Sequence, residues 1–456
     1  MSSRNLLHRN SVLFLSLFFA LVALVALQFQ LTQATPHAAG DLDTTFGTNG
    51  VTITHINGND TPNGMALRAD GKFFVIAEAD FMSSSQSVML LYNADGTLDS
   101  GFGSSGVNVL TPFNVGFAGQ ATAVALQSDG KPVVAGFLST SGNKNFAVTR
   151  YLSDGSVDTG FGVNGVVTTP VSLTFDDEAT SLAIQADGSI VAAGHTQNID
   201  FALVRYDADG ALDLTFGVGG VVTTNFPIGT SGGLDVANDV IIQSDGKIVA
   251  VGRSASRFGV ARYNTNGSPD TAFGVGGVVS TVVGMDPFMA AYTVLQQPDG
   301  KLLVGGTGYN DVDSHYAYAL VRYNTDGSLD SDFGTDGIAK TDFGDSSTSY
   351  DMILRPDGKI VLVGDGSNGT SGLGVSLVQF NEDGSLDTAF GSGGVVHTAV
   401  GTRATDVLLQ PDGKLIVLGY FASFAAPEDL FLARYDYQDL AYKIYLPLTL
   451  TPGDSE

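Results

Sequence analysis

Cysteine is absent from the 456 residues of the sequence, so a disulfide framework, a thiolate nucleophile and a cysteine-ligated metal site are all excluded. Basic residues are scarce, since 21 lysines and arginines stand against 47 aspartates and glutamates and give a net charge of −26. A body this acidic repels phosphate backbones and anionic membrane surfaces. We therefore expect no nucleic-acid partner and no membrane contact by the body of the chain.

The N-terminus has the pattern of a targeting segment. A basic start precedes an almost unbroken apolar stretch, Ser11–Leu27, and small residues follow up to Ala34. This pattern predicts a signal peptide over residues 1–34 and a short linker over residues 35–40. An uncleaved anchor is the alternative, because about 17 apolar residues can just span a bilayer. In both cases we expect the body to be secreted or displayed at the cell surface.

Three short patterns recur seven times each, in a fixed order, through the body of the chain. The first is L-D-x-x-F-G-x-x-G, whose phenylalanines are Phe46, Phe102, Phe161, Phe216, Phe273, Phe333 and Phe390. The second is an Asp-Gly pair, usually followed by Lys, and the third is Arg-Tyr or a close variant. Successive phenylalanines are 55 to 60 residues apart. Repeats of this period indicate a propeller, a solenoid or an array.

The content of one unit favours a propeller. The third unit has four short segments, rich in β-branched residues and separated by Gly, Asp and Pro: Val166–Thr169, Ser181–Gln185, Ile190–Gly194 and Ala202–Tyr206. About four short antiparallel strands make one propeller blade. The sequence therefore predicts an all-β, seven-bladed β-propeller over residues 41–436, followed by a C-terminal tail over residues 437–456.

The two ends of the repeat region are complementary. The first unit has L-D-T-T-F-G from Leu42 but no Arg-Tyr motif before it, and the last unit has Arg434-Tyr435 but no Phe-Gly motif after it. An open solenoid would instead need atypical capping units. We therefore expect the ends to meet and close a ring, with the segment around Arg434 beside residues 41–50.

The units resemble the delta-60 repeat, a bacterial family of units of roughly sixty residues with the pattern LD-x-TFG-x-xG … Q-x-DGKI-V-x-G … RYN-x-DG. The resemblance covers about residues 41–436 and implies a secreted or surface β-propeller whose biochemical role is not established. It implies no catalytic residues. Ser189, Pro269 and Gln379 depart from the pattern, where Lys, Leu and Arg are expected, and we interpret them as weakened structural contacts. Tryptophan is absent, which argues against the WD-repeat, sialidase Asp-box and quinoprotein propellers.

The acidic turn RYNTDGSLDSDFG, which begins at Arg322, is the repeated motif that most resembles a functional site. From the aromatic residue, Tyr323 in this copy, to the phenylalanine is ten residues in all six internal copies. A joint between blades must recur in every unit, whereas a site need not. We therefore interpret the turn as structural, with Phe333 and its equivalents between adjacent blades and the arginine paired with a carboxylate of the turn.

Calcium is the alternative interpretation of this turn. Oxygen atoms of Asn324, Asp326 and Asp330 resemble part of a calcium loop, but the motif lacks the final glutamate of an EF-hand. The four histidines of the predicted repeat region, His55, His195, His315 and His397, fall in four different units at non-equivalent places. A metal site needs ligands that converge, so we expect no metal and no other cofactor, with Ca²⁺ as the one candidate.

The best candidate for ligand binding is a loop that no other unit matches. It lies in the fifth unit and collects Tyr309, Asp311, Asp313, His315, Tyr316 and Tyr318. Aromatic faces with carboxylates suit a sugar or a cation, although a longer solvated hairpin would look the same. No H-E-x-x-H or P-loop motif occurs. The sequence therefore favours a monomeric, non-catalytic extracellular scaffold for a glycan or a protein, with a hydrolase or lyase that uses loop carboxylates as the alternative.

Overall fold

A computed structural model describes residues 39–81, 84–113, 119–140, 142–196, 200–227, 234–341, 347–367, 373–421 and 428–437. The predicted signal peptide and almost all of the predicted tail lie outside these ranges. Within them the regular elements are 28 strands in seven four-stranded antiparallel sheets. The described residues include no helix of the length and hydropathy needed to cross a membrane. The prediction of an all-β, seven-bladed propeller is confirmed.

Each sheet is one blade, and its strands follow one another from the first strand outward. Blades 1 to 4 consist of β2 (Asp60–Leu67), β3 (Phe73–Phe81), β4 (Ser84–Tyr92) and β5 (Val107–Val109); β6 (Gly119–Leu126), β7 (Pro132–Thr140), β8 (Asn143–Arg150) and β9 (Val166–Thr169); β10 (Asp177–Ile184), β11 (Ile190–Thr196), β12 (Phe201–Tyr206) and β13 (Val221–Thr224); and β14 (Asp235–Ile242), β15 (Ile248–Ser254), β16 (Arg257–Tyr263) and β17 (Val278–Thr281). Blades 5 to 7 consist of β18 (Ala290–Gln296), β19 (Leu302–Asn310), β20 (His315–Tyr323) and β21 (Ile338–Thr341); β22 (Thr348–Leu354), β23 (Ile360–Ser367), β24 (Leu373–Phe380) and β25 (Val395–Thr398); and β26 (Arg403–Leu409), β27 (Leu415–Tyr420), β28 (Leu430–Tyr435) and β1 (Val51–Thr54).

The blades are offset by one strand from the units read in the sequence. The segment Val166–Thr169, expected to open a blade with the strands that follow it, is instead the last strand of the preceding blade, where it pairs with β8. The acidic turn causes this offset, because it reverses the chain along the outer edge of the sheet that the chain has just left. The same offset leaves blade 7 with three strands of its own.

Strand β1 supplies the fourth strand of blade 7 and closes the ring. Val51 lies opposite Ala433, and Thr54 lies opposite Leu430. The predicted meeting of the two ends is confirmed by the backbone, since Asp43 N donates to Arg434 O at 2.8 Å. The Asp43 carboxylate also accepts from Arg434 Nε at 2.7 Å and from Lys414 Nζ at 2.5 Å. Burial raises the pKa of Asp43, but hydrogen bonds from Lys414 and Thr45 and the Arg434 charge outweigh it and hold that pKa well below its usual value.

The core lies between the blades rather than at one centre. Seven clusters of buried apolar residues each combine side chains of two neighbouring blades. Because a blade is covered on both sides, its middle strands are apolar at successive positions rather than at alternate ones, as in IVAV of β15, where all four residues are buried. Burial on both faces thus explains the short continuous apolar runs between turn residues.

The acidic turns form the joints between blades. The seven motif phenylalanines are at most 1% exposed. At the joint between blades 5 and 6, the Arg322 guanidinium lies 4.5 Å from the centroid of the Phe333 ring and donates to Asp330 at 2.6 Å and to Glu382 O, in the next blade, at 2.6 Å. Gly384 packs against Phe333, where an added Cβ would lie 2.9 Å from the ring. One arginine therefore joins the turn, the ring and the neighbouring blade.

The acids of this turn are engaged by protein groups. Asp326 accepts from Ser328 N at 2.9 Å and from its hydroxyl at 2.7 Å, the geometry of a tight turn. Asp330 accepts from Lys301 Nζ at 2.8 Å as well as from Arg322, and these two cations hold the pKa of Asp330 below its usual value despite the opposing effect of burial. These contacts support a structural role for the motif.

Two of the three departures from the repeat pattern change the joints little. Pro269 makes the same bridge to Tyr263 that Leu329 makes to Tyr323, so the backbone of the turn is preserved. Ser189 stands where other units have a lysine that would pair with Asp213, and Asp213 keeps its contact with Arg205 at 2.6 Å. The interpretation as a weakened contact applies to Ser189.

The third departure, at Gln379, is compensated by an arginine elsewhere in blade 6. Arg355 occupies the position where five other units have glutamine, and its Nη2 donates to Tyr437 O at 3.4 Å. Its guanidinium lies 4.2 Å from the centroid of the Tyr437 ring, which in turn lies 5.1 Å from the centroid of Phe390. Gln379 donates to Asp387 and accepts from the Tyr437 hydroxyl. Arginine and glutamine have exchanged positions in this blade, and Tyr437 fills the space between them.

The antiparallel order of the strands sorts the connections onto two faces. The connections after the first and third strands of each blade contain the Asp-Gly turns and the acidic turns, and they lie on one side, the turn face. The connections after the second and fourth strands lie on the opposite side, the loop face. All repeated motifs are therefore on the turn face, and the connections that differ between units are on the loop face.

Candidate functional site

The first strands of the seven blades surround a central cavity of about 300 Å³, and each of the seven contributes to its lining. Every first strand has a register shift against the second strand at the same place, where one extra residue bulges out of the pairing. The bulged residues are Asn63, Thr122, Thr180, Asn238, Tyr292, Tyr350 and Thr405. A bulge redirects the side chain of the extra residue, and all seven line the cavity.

Four of these residues tie their blade to the next. The side chains of Asn63, Thr122, Thr180 and Asn238 donate hydrogen bonds of 2.7 to 2.8 Å to a backbone carbonyl in the first strand of the following blade. Tyr292 and Tyr350 break this series. Their rings instead contact each other, with centroids 5.4 Å apart and planes at 51°.

The two tyrosines belong to a larger group, which we call the tyrosine–arginine mouth: Tyr292, Tyr350, Arg403 and Tyr420. The Arg403 guanidinium lies 5.2 Å from the centroid of Tyr350 and 6.0 Å from that of Tyr420. Arg403 begins β26 and Tyr420 ends β27, so the mouth is at the loop-face end of the cavity. The Arg403 side chain is 44% exposed and donates to Asp365 at 3.1 Å. Three consecutive blades therefore present aromatic faces and a guanidinium to one opening.

A second ring of side chains follows the bulges by one residue: Gly64, Ala123, Ser181, Asp239, Thr293, Asp351 and Asp406. Its three aspartates line the cavity. Each accepts a hydrogen bond from a backbone N–H of the next blade. Asp239 accepts from Val294 N at 2.9 Å, Asp351 from Val407 N at 3.0 Å and Asp406 from Met65 N at 2.6 Å. These carboxyl groups thus fasten blade 4 to 5, blade 6 to 7 and blade 7 to 1.

The depth of this ring changes the ionisation of its acids. The three carboxyl groups are partly exposed to the cavity, but protein surrounds them on all sides and weakens their solvation. Burial raises the pKa of Asp239 to about 6. It also raises the pKa values of Asp351 and Asp406, most for Asp406, and these two side chains are hydrogen-bonded to each other. Each carboxylate disfavours the charged form of the other, so their contact adds to the effect of burial on the pKa of Asp406.

The cavity and its mouth have the chemistry of a ligand site. A volume of about 300 Å³ is at the lower end of the range for small-molecule pockets. The mouth offers aromatic faces, a positively charged donor at Arg403 and an acceptor at Asp365, and the ring below adds three carboxyl groups. No metal-type cluster among the described residues involves this ring.

The structure places the predicted ligand loop elsewhere, in the β19–β20 hairpin on the loop face of blade 5. Tyr309 and Tyr316 contact each other edge to face, and the Tyr316 hydroxyl donates to Asp286 at 2.7 Å. Burial and this hydrogen bond raise the pKa of Tyr316 to about 12. Tyr318 is fully buried in the core between blades 5 and 6. The hairpin is therefore built by contacts among its own residues and with the neighbouring loop.

The three remaining residues of the predicted loop also take part in this local structure. Asp311 accepts from Met285 N at 2.9 Å, and Asp313 accepts from Asn310 at 3.0 Å. His315 is half-buried, opposite Asn310 in the hairpin. The six residues thus stay a prediction as a ligand site, and the mouth is a separate location on the same face.

The aspartates of the cavity were missed in the sequence, although a signal for them exists. Asp239, Asp351 and Asp406 each lie six residues before the aspartate of an Asp-Gly turn, and the other four units have Gly, Ala, Ser or Thr at that position. A position that alternates between small residues and aspartate inside an otherwise regular repeat indicates a specialised surface. Only the closed ring shows that the three acids share one cavity.

The histidines lie apart, as their non-equivalent positions indicate. His55 is near the ring closure, with Nδ1 2.7 Å from Asp429 Oδ1 and 3.8 Å from Asp60 Oδ2. This trio is a possible cation group by distance. Asp60, however, already accepts from Ile56 N at 2.6 Å and Asn57 N at 3.1 Å. Its carboxylate therefore has a local role in ordering the loop that precedes β2.

The fold defines the class of the protein as a seven-bladed β-propeller made of one repeated sequence unit. The family model described as "Domain of unknown function (DUF5122) beta-propeller" matches seven segments that make up more than half of the chain: residues 68–102, 127–161, 185–216, 243–273, 297–333, 355–390 and 410–436. The chain belongs to this family of β-propeller repeats. The narrower resemblance to the delta-60 repeat stays a prediction. No curated protein sequence matches the chain.

Solved structures match the chain at low sequence identity and with TM-scores under 0.5. Polysaccharide lyase Uly1 is 11% identical with a TM-score of 0.48, over 89% of this chain and 94% of that one. Sqt1 from Chaetomium thermophilum is 12% identical with a TM-score of 0.45, over 81% and 82%. YCF48, bound to D1 peptide, is 10% identical with a TM-score of 0.43, over 85% and 98%.

Proposed function

We propose that the protein is an exported, non-catalytic binding scaffold that takes a saccharide at the tyrosine–arginine mouth of its central cavity. The observation that carries this proposal is the contact series Tyr292–Tyr350–Arg403–Tyr420 across three blades. Four bulged threonine and asparagine side chains tie their blade to the next, and at Tyr292 and Tyr350 the same position instead adds aromatic surface to the cavity.

A saccharide suits this combination of groups. The C–H face of a sugar ring packs against a tyrosine ring, and its hydroxyl groups need both donors and acceptors in fixed places. Arg403 supplies donors, Asp365 accepts, and Asp239 lies deeper in the cavity. Ligand sites combine such an apolar surface with a few placed polar groups. The rigid first strands hold these groups in place before a ligand arrives, which lowers the ordering cost of binding.

The test is a glycan-array screen of the purified protein, followed by calorimetry with the best glycan. Tyr350→Ala should weaken binding by about tenfold, which corresponds to about 1.4 kcal/mol, because it removes one aromatic face. Tyr309→Ala is the matched control in the predicted loop and should leave the affinity within twofold. Loss of binding in Tyr309→Ala with retention in Tyr350→Ala would move the site to the hairpin. A blank array would contradict the saccharide proposal.

A second function, cleavage of a glycosidic bond, is favoured by one observation. Asp351 and Asp406 come from different blades, and burial in the same cavity raises the pKa values of both. A carboxyl group with a raised pKa is better suited to act as a general acid than an ordinary one. Both groups, however, also hold a backbone N–H of the next blade, which supports the scaffold. Release of reducing ends from a bound glycan by the wild type, and not by Asp406→Asn, would establish the enzyme instead.

A further inference from the structure

Three side chains with metal-ligating atoms converge beside the ring closure, and each comes from a different segment of the chain. His55 directly follows β1, Asp60 begins β2, and Asp429 directly precedes β28. His55 Nδ1 lies 2.7 Å from Asp429 Oδ1 and 3.8 Å from Asp60 Oδ2, and the three ligand atoms all lie within 4.8 Å of one another. We call these three side chains the closure triad. No other group of this kind occurs among the residues that the structure describes.

The spacing of the closure triad suits a divalent metal ion that takes nitrogen and oxygen ligands. Zn²⁺ binds a histidine nitrogen or a carboxylate oxygen at about 2.0 to 2.2 Å in a tetrahedral arrangement, which places the ligand atoms about 3.4 Å apart. The two distances from His55 Nδ1 lie on either side of this value, so small side-chain rotations bring all three atoms to it. One imidazole and two carboxylates leave the fourth position to water. Ca²⁺ and Mg²⁺ instead prefer oxygen ligands alone and take more of them.

The triad combines one fixed ligand with two accessible ones. Asp60 is fully buried, whereas the side chains of His55 and Asp429 are 56% and 33% exposed. The two Asp60 oxygens accept from Ile56 N at 2.6 Å and from Asn57 N at 3.1 Å. Each carboxylate oxygen has a second lone pair, so these bonds leave the carboxylate able to bind an ion. They also fix its orientation, as outer hydrogen bonds do for metal ligands.

The buried aspartate recurs at two other joints, where its role is structural. Asp177 accepts from Val171 N at 2.9 Å, and Asp235 accepts from Phe226 N at 3.1 Å. These donors occupy the position of Ile56, two residues beyond the last strand of the preceding blade. The aspartate alone therefore orders the connection between blades and does not define a metal site.

The other two positions of the triad distinguish the ring closure from these joints. The joint between blades 2 and 3 has Pro170 and Asn145 there, which offer no imidazole and no carboxylate. The joint between blades 3 and 4 has Asn225 and Asp200, and Asn225 Nδ2 donates to Asp200 Oδ1 at 2.9 Å. Of these three joints, the ring closure alone combines an imidazole with two carboxylates.

We propose that the closure triad binds one Zn²⁺, or a similar divalent transition-metal ion, through His55 Nδ1 and carboxylate oxygens of Asp60 and Asp429. The ion ties the end of β1 to the start of its partner strand β28 and to β2 of blade 1, so it stabilises the closed ring. This site is separate from the tyrosine–arginine mouth and does not depend on saccharide binding there. Because the chain supplies only three ligands and His55 is exposed, the protein takes up the ion when it is supplied. A chelator alone therefore leaves protein purified without added metal unchanged.

The test is isothermal titration calorimetry of ZnCl₂ into the protein after dialysis against a chelator and then against metal-free buffer. The wild type should bind one Zn²⁺ per chain, and saturating Zn²⁺ should raise its melting temperature by a few degrees. His55→Asn should weaken Zn²⁺ binding by about tenfold or more, because it removes the nitrogen ligand. This variant should fold, since asparagine occupies the same position at Asn225. His397→Asn, which removes a histidine outside the triad, should leave the affinity unchanged.

A gain-of-function variant provides the second test. Asn225→His places an imidazole beside Asp200, with Asp235 at the position of Asp60, and should bind a second Zn²⁺ per chain. Undiminished binding in His55→Asn would overturn the proposal, because the ion would then be held elsewhere on this acidic protein. Absence of Zn²⁺ binding by the wild type would also overturn it, as would the same number of bound ions in the wild type and in Asn225→His.

Discussion

Replacement of Tyr437 by alanine should destabilise the protein by about 3 to 5 kcal/mol, the range found when a buried aromatic side chain is removed. Tyr437 is 1% exposed although it is the last described residue of the chain. Its ring lies between Phe390, at 5.1 Å, and the Arg355 guanidinium, at 4.2 Å. Its hydroxyl also donates to Gln379. Alanine would leave a cavity in the joint between blades 6 and 7 and a glutamine without one of its partners.

The exchange of arginine and glutamine in blade 6 also predicts a rescue. In blade 2, Arg150 donates to Ala208 O of the next blade at 2.7 Å and to Gln127 Oε1 at 3.2 Å, and it lies 4.9 Å from the centroid of Phe161. The triple variant Arg355→Gln, Gln379→Arg, Tyr437→Ala gives blade 6 the arginine and glutamine of blade 2 and removes the ring between them. The guanidinium introduced at position 379 should cover Phe390 and fill most of the cavity, so we expect stability within about 1 kcal/mol of the wild type.

Equilibrium unfolding in urea, followed by tyrosine fluorescence and far-ultraviolet circular dichroism, measures these differences, since the sequence has no tryptophan. The single variant Gln379→Arg is the control, because the Tyr437 side chain already occupies the space for the guanidinium. It should be less stable than the wild type by about 1 to 3 kcal/mol through overpacking. A triple variant no more stable than Tyr437→Ala alone would refute the exchange of positions that we infer.

Three further outcomes are expected. Burial raises the pKa of Asp239 to about 6 from an ordinary value of 3.8, so the contribution of this group to stability is full below pH 3.8 and is lost as the pH rises through 6. Thermal unfolding of the wild type should therefore show a loss of stability of about 1 kcal/mol between pH 5 and 7.5 that Asp239→Asn lacks. An equal dependence of stability on pH in both proteins would contradict this. Asp43→Asn should cost about 3 kcal/mol in urea unfolding, since it leaves Arg434 buried without its carboxylate. Asp99→Asn, which removes a more exposed pair with Lys72, should cost clearly less, and similar losses would show that the ring closure is no more dependent on its ion pair than an ordinary joint. A chelator should leave the melting temperature unchanged, because the acids of the turns are held by lysine, arginine and backbone groups, and a shift of many degrees would establish bound Ca²⁺.

The parts of the fold that were predictable are those that every unit must contain. Phe333 and Asp330 have counterparts in all seven units and Arg322 in five, because a joint of this kind uses the same ring, carboxylate and cation at a constant spacing. The repeated sequence did not indicate which of its strands begins a blade. Val166–Thr169 has the same local sequence character whether it opens one blade or ends another, and only its pairing with β8 decides.

The two candidate sites also differ in how far the sequence indicates them. The hairpin with Tyr309 and Tyr316 was conspicuous because it is contiguous in sequence, yet its side chains mostly support the loop beside it. The mouth was not conspicuous, because Tyr292, Tyr350 and Arg403 are isolated residues in three different units.

The sequence by itself determined the number of blades, the chemistry of their joints and the complementary ends, because each depends on residues close together or at a fixed period. The tertiary structure decided which surface the non-repeated residues share. Asp351 and Asp406 are 55 positions apart and come within a hydrogen bond only because seven inward-facing strands close around one axis. A ring brings equivalent positions of all its units to one place, so residues that differ between separate repeats together line one cavity.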